Sequence, residues 1–207
     1  LRDGAKKTLT LALSGDWRKA ADFAWRASTG DIRIGMQMTP LTDDERKAVE
    51  EYTMNTFNNV NTIKRGGPDI LTRKQEEWGN DVAGRLDSAF AKSVTPGDLY
   101  TYRGAGRRLP SGVDAESLIG QVIADKSYLS TSVDPLTGNQ FGEGAVLKIA
   151  VPKGTHAIWA DRMSLNEGEM ELLLPPDTPL AITGVKHETY VNWKGDTVNR
   201  SIIEAVV

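Results

Sequence analysis

The chain reads as an α+β protein because its texture changes once along its length. Up to about Lys92, apolar residues recur at helical spacing between capping signals. From about Leu99 they fall instead into short runs separated by Gly, Pro and Asp. A block of helices followed by a block of strands, with no βαβ alternation, is the pattern of an α+β fold.

Residues 1–40 read as a helical N-terminal extension. Their best segment is DWRKAADFAWRA, Asp16 to Ala27, in which Trp17, Ala20, Ala21, Ala24 and Trp25 share helical spacing between Ser14-Gly15 and Thr29-Gly30. Thr42 and Glu45 then form a capping box, with Thr at the N-cap and Glu at the third helical position. The helix they open carries Val49, Tyr52, Val60 and Ile63 and ends at Lys64-Arg65-Gly66-Gly67. A further helix covers Arg73 to Lys92, with Trp78, Val82, Leu86 and Phe90 four apart. The runs LYTYRG, SYLSTSV, AVLKIAV, ELLLP, PLAITGV and SIIEAVV follow as strands.

A chain of 207 residues affords one cored domain, with or without an extension. Its net charge of −3 supplies no global basic field for nucleic acid, and Arg107-Arg108 is too short a cluster to act as one. Nucleic acid is therefore not the expected partner. No apolar run has the length of a membrane span. The absence of cysteine excludes disulfides and thiolate chemistry, and two distant histidines, His156 and His187, do not make a His-rich metal site. The chain opens on Leu1, which reads as a processed or excised piece of a longer protein.

Three stretches carry chemistry. In NEGEMELLLPP, Asn166 to Pro176, a strand would send Glu169 and Glu171 to one face with Cα atoms roughly 6.6 Å apart. Carboxylates sharing a face repel. Edge-strand protection accounts for exposed glutamates, but less well for glutamates set directly against Leu172-Leu173-Leu174. Glu167, beside Gly168, reads as loop charge. In LYTYRG, Arg103 stands at a strand end beside Gly104, where a guanidinium can grip a phosphate and a glycine lets a ligand approach the backbone. In SYLSTSV, Ser130, Thr131 and Ser132 place three short hydroxyls in one strand. Gly104-Ala105-Gly106, with Asp125 downstream, is not a dinucleotide fingerprint. The third glycine position holds Leu109, Pro110 follows, and no helix opens there. Neither histidine accompanies a G-x-S-x-G turn, so no Ser-His-Asp triad is indicated.

Taken in order, aromatic-Arg-Gly, Ser-Thr-Ser and Glu-x-Glu before Leu-Leu-Leu-Pro resemble the mono-ADP-ribosyltransferase toxins of the Arg-Ser-Glu class. LTDDERKAVEEYTMNTFNNVN, Leu41 to Asn61, resembles the helical opening of that family, and VPKGTHAIW, Val151 to Trp159, its Pro-x-Gly strand exit. The resemblance spans residues 41–207, which become the expected catalytic domain. It implies two perpendicular antiparallel β-sheets flanked by helices, with NAD as co-substrate in the cleft and no metal required.

The resemblance also assigns roles. Glu171 steadies the oxocarbenium-like cation that develops on the ribose as nicotinamide leaves. Glu169 marks an arginine acceptor, since family members with Gln there prefer asparagine or other acceptors. Arg103 binds the pyrophosphate, and Gly104 offers backbone to the nicotinamide end. Ser130 holds Glu171, Thr131 and Ser132 support the strand, and Phe141 stacks on nicotinamide. In the loop before the glutamates, Trp159, Arg162 and Met163 are candidates for touching the target protein, with plain core packing an equal reading for Trp159. The expectation is a toxin or effector, secreted or translocated into a target-cell cytosol, in which residues 1–40 bind either an immunity or chaperone partner or only the domain's own back. Three rivals stand beside it: transfer to nucleic acid or NAD hydrolysis, a non-catalytic phage-head or partner-binding module, and a glycosidase. The last is weakened because two carboxylates on one strand face do not flank a substrate.

Overall fold

The computed structural model describes residues 41–105, 114–135, 137, 144–160, 163, 169–191 and 195–207. The helix expected within residues 1–40, with Trp17 and Trp25, lies outside these.

Helix α1 spans Asp43–Glu51 and opens as its sequence predicts. Thr42 Oγ1 accepts from the Glu45 N–H at 3.3 Å, and Glu45 Oε2 accepts from the Thr42 N–H at 2.8 Å. A π-helical stretch, Tyr52–Thr56, leads into α2, Phe57–Lys64, which ends before Gly66 at φ +80°. Helix α3 occupies Arg73–Lys92 and carries a second capping box, Thr72 with Gln75. Trp78 departs from expectation in being exposed. The helix meets α2 one residue on, at Gly79, where a Cβ would stand 2.5 Å from Ile63 Cδ1, and this contact turns Trp78 outward. Glu45 does more than cap. Buried to 4% exposure, it accepts from Ser88 at 2.6 Å and from Lys92 at 2.7 Å, tying α1 to α3. Burial alone would raise its carboxyl, but the hydrogen bonds from Lys92, Ser88 and Thr42 outweigh that and lower it to about 2.

Eight strands follow: β1 Leu99–Gly104, β2 Val122–Ile123, β3 Leu129–Ser132, β4 Ala145–Val151, β5 Ile158–Trp159, β6 Glu171–Leu174, β7 Leu180–Val191 and β8 Thr197–Val206. They form one hydrogen-bonded series in the order β2-β7-β8-β4-β1-β3-β6-β5. The α+β class is as expected. The pairing differs in two respects: the strands join in one series where two separate sheets were expected, and β4 and β8 run parallel while the other neighbours are antiparallel. The series also has a seam. β1 pairs with β4 over six residues but with β3 at a single pair, Tyr102 with Ser132.

Two cores lie on the two faces of β6. Leu172 and Leu174 join the main core with Leu129, Ile149 and Ile203. Leu173, between them, joins the helical core with Val49, Val82, Leu86 and Tyr128. A continuous apolar run is what a strand covered on both faces requires. Tyr128, just before β3, locks the strand to the helices. Its hydroxyl donates to Ala83 O at 3.0 Å and to Asp87 Oδ1 at 2.5 Å, while its ring stacks on Phe90 and meets Tyr52 edge-on. Burial, with the Asp87 carboxylate beside it, pushes the phenol well above its ordinary range.

Candidate active site

Arg103, Ser130 and Glu171 come from β1, β3 and β6, three successive strands at the seam. Ser132 pairs with Glu171 across β3 and β6, so strand alternation puts Ser130 on the same face as Glu171, one step along. The Ser130 hydroxyl donates to Glu171 Oε1 at 2.5 Å. Glu171 is only 8% exposed, so this donor substitutes for water and fixes the carboxylate's direction. On the opposite face the Thr131 hydroxyl donates to Leu172 O at 2.7 Å and stiffens the same pair of strands. Arg103 Nη1 donates to Ser130 O, bringing a guanidinium to the backbone of the residue that holds Glu171. Gly104 ends β1. The result is a cation and an oriented, water-poor carboxylate across one break in the sheet. Such a pair suits an anionic ligand that develops positive charge as it reacts.

Glu169 stands differently from its expected place. β6 begins at Glu171, and Met170 has φ +51°, so the alternation that would carry both carboxylates to one face is interrupted between them. The Ser132 hydroxyl donates to Glu169 O at 2.7 Å. Partial burial raises the Glu169 carboxyl above the usual range.

Of the residues named for target contact, Trp159 lies in the main core at 5% exposure, paired with Leu172 on β6, which leaves its ring no surface to offer a partner. Met163 packs against the helical core. Phe141 and Arg162 lie outside the described residues. The Pro-x-Gly exit is present: β4 ends at Val151, and Gly154 turns the chain at φ +86°.

One feature beside the site was not legible. Arg65, read only as part of a helix end, donates through Nε and Nη2 to both Asp125 carboxylate oxygens, at 3.0 and 2.7 Å, and to Ser127 Oγ at 2.7 Å. This clamp fastens the end of α2 to the approach to β3. Burial would raise the Asp125 carboxyl, yet Arg65 and Ser127 hold it well below the usual range. Asp125 is thereby occupied as a staple, in keeping with rejection of the dinucleotide fingerprint. No group of three or more His, Asp or Glu side chains among the described residues is placed to hold a metal.

Comparison with known proteins decides the class. Residues 15–207 match the family described as the ADP-ribosyltransferase exoenzymes. The chain belongs to that family. It is an NAD-dependent ADP-ribosyltransferase of the toxin type, and the match begins within the segment read as an extension. The epidermal cell differentiation inhibitor of Staphylococcus aureus is 25% identical over 215 residues, covering 90% of this chain and 85% of that protein. The NAD(+)–arginine ADP-ribosyltransferase EFV of Enterococcus faecalis is 26% identical over 141 residues, 65% of this chain but 27% of that protein. Among solved structures, Plx2a, an ADP-ribosyltransferase toxin from Paenibacillus larvae, has the same fold. Its TM-score is 0.68 at 22% identity, with 90% of this chain and 96% of that one covered.

Proposed function

We propose that this exoenzyme-family chain transfers ADP-ribose from NAD to an arginine side chain of a target protein and releases nicotinamide. The observation that carries the reading is the buried Glu171 carboxylate, gripped by Ser130, with Arg103 on the adjoining strand.

Arg103 binds the pyrophosphate, its planar fork of donors matching phosphate oxygens. The bond between nicotinamide and ribose then breaks, and its electron pair leaves with neutral nicotinamide. Positive charge gathers on the ribose. Glu171 attracts that charge more strongly as it grows, so it binds the transition state better than bound NAD. The guanidine nitrogen of the acceptor forms the new bond to the ribose carbon and gives up one proton. Glu169 receives it, and a carboxylate with a raised pKa is the better base for this step. A glutamine there could pair with the acceptor but not take its proton. The name of the Enterococcus relative agrees with an arginine acceptor. The reaction takes place in the cytosol of a target cell after secretion or translocation of the protein.

Incubation with NAD and target-cell lysate, followed by mass-spectrometric location of the modified residue, tests the acceptor. ADP-ribose on arginine is the expected result. Glu169→Gln is expected to suppress arginine transfer more than nicotinamide release, and an equal loss of both would remove the argument for Glu169.

A further inference from the structure

Met170 is an unusual residue for its backbone. Left-handed φ is ordinary for glycine and tolerated by Asn and Asp, but a methionine there brings its Cβ against the backbone. The other non-glycine residue with positive φ among the described residues is Asp177, one of the tolerant types. Something outside Met170 must therefore hold it, and three contacts do. The Val133 N–H donates to Met170 O at 3.1 Å. The Ser132 hydroxyl donates to Glu169 O at 2.7 Å and itself accepts from the Asp134 N–H at 3.0 Å. The Met170 side chain packs, partly buried, against the main core. One residue on, Glu171 O accepts from the Ala160 N–H at 2.9 Å and keeps Glu171 in the sheet. The chain is thus pinned on both sides of a reversal that lies between the two glutamates. Strain maintained in this way at a reacting centre points to function.

We propose that Met170 is a positioning residue for the acceptor step. Its left-handed backbone, clamped by Ser132 and Val133 and anchored in the core, fixes the Glu169 carboxylate relative to Glu171. The inference rests on the reading of Glu169 as the group that faces an arginine acceptor. The partial burial that raises the Glu169 carboxyl agrees with a set position rather than a free one.

The test uses the whole chain, NAD, and agmatine as an arginine side-chain analogue. Nicotinamide release without acceptor and ADP-ribosyl-agmatine formation are measured separately. Met170→Gly accepts left-handed backbone freely but removes the anchor, whereas Met170→Leu keeps an apolar anchor. In Met170→Gly, kcat/KM for agmatine should fall at least about tenfold, mainly in kcat, while nicotinamide release falls no more than about threefold. In Met170→Leu both should stay within about threefold of the parent. A purely structural role would lower the two activities together. Equal losses, or an unchanged ratio, in Met170→Gly overturn the inference while the parent still modifies agmatine. Failure of the parent to modify any arginine overturns the acceptor reading, and this inference with it. If Met170→Gly does not fold, Met170→Asn, which also tolerates left-handed backbone, is judged by the same ratio.

Discussion

Removing one hydroxyl, in Ser130→Ala, tests the centre of the proposed site. The hydroxyl gives Glu171 Oε1 a hydrogen bond of 2.5 Å in a place where the carboxylate is 8% exposed, so little water can replace it. A hydrogen bond to a charged group contributes about 1.5–3 kcal/mol. At about 1.4 kcal/mol per tenfold, that corresponds to a loss of about ten- to a hundredfold in nicotinamide release. The loss should fall on kcat if the hydroxyl orients a carboxylate that works in the transition state, as proposed, and KM for NAD should change by less than about threefold. Chromatographic measurement of nicotinamide against time gives both constants, and thermal unfolding of the variant checks its fold. Glu171→Gln supplies the reference, with an expected loss of about 10²–10³. If Ser130 acts through Glu171, the double variant should be no worse than Glu171→Gln alone. Multiplying losses, or a Ser130→Ala rate within twofold of the parent, would refute the reasoning.

Two further predictions concern what holds the site in place. Tyr128→Phe removes from a buried position the one hydroxyl donor that Ala83 O and Asp87 share and should lower stability by about 1–3 kcal/mol, read from urea unfolding; a change under about 0.5 kcal/mol would show that the hydroxyl does not lock β3 to the helices. Glu45 has a lowered pKa in the folded state, so its contribution is present above the ordinary value of 4.5 and is lost as pH falls towards about 2. The shift sets a ceiling of about 3 kcal/mol, and screening near the surface reduces it to about 1–2 kcal/mol. Parent and Glu45→Gln should therefore differ by that amount near neutrality and converge between pH 4.5 and about 2. A gap that stays constant through this window would contradict the assignment.

The helices were legible because their signals are local. Thr42 with Glu45 sets the start of α1, and the apolar spacing of Val82, Leu86 and Phe90 follows one face of α3. The apolar strands were legible for the same reason. The outer half of the β7–β8 hairpin was not, since Lys186, His187, Glu188 and Thr189 are all exposed and carry no apolar alternation. The two-residue strands β2 and β5 exist only through their long-range partners. In the candidate site, the order of motifs pointed to Arg103, Ser130 and Glu171, and two neighbouring strands bring Ser130 to Glu171. What went unread was backbone direction. Nothing in the residue type of Met170 announces a left-handed turn, so alternation was carried two residues past the start of β6, to Glu169. The clamp of Arg65 on Asp125 was hidden similarly, its partners being sixty residues apart.

The lone rung joining Tyr102 to Ser132 has a mechanical corollary. Prising β1 from β4 would break a ladder of six pairs, whereas parting β1 from β3 breaks one pair and the Arg103 hydrogen bond to Ser130 O. If a dinucleotide binds between Arg103 and Glu171 as proposed, it meets the sheet where the fewest strand pairs resist parting, with longer ladders on either side.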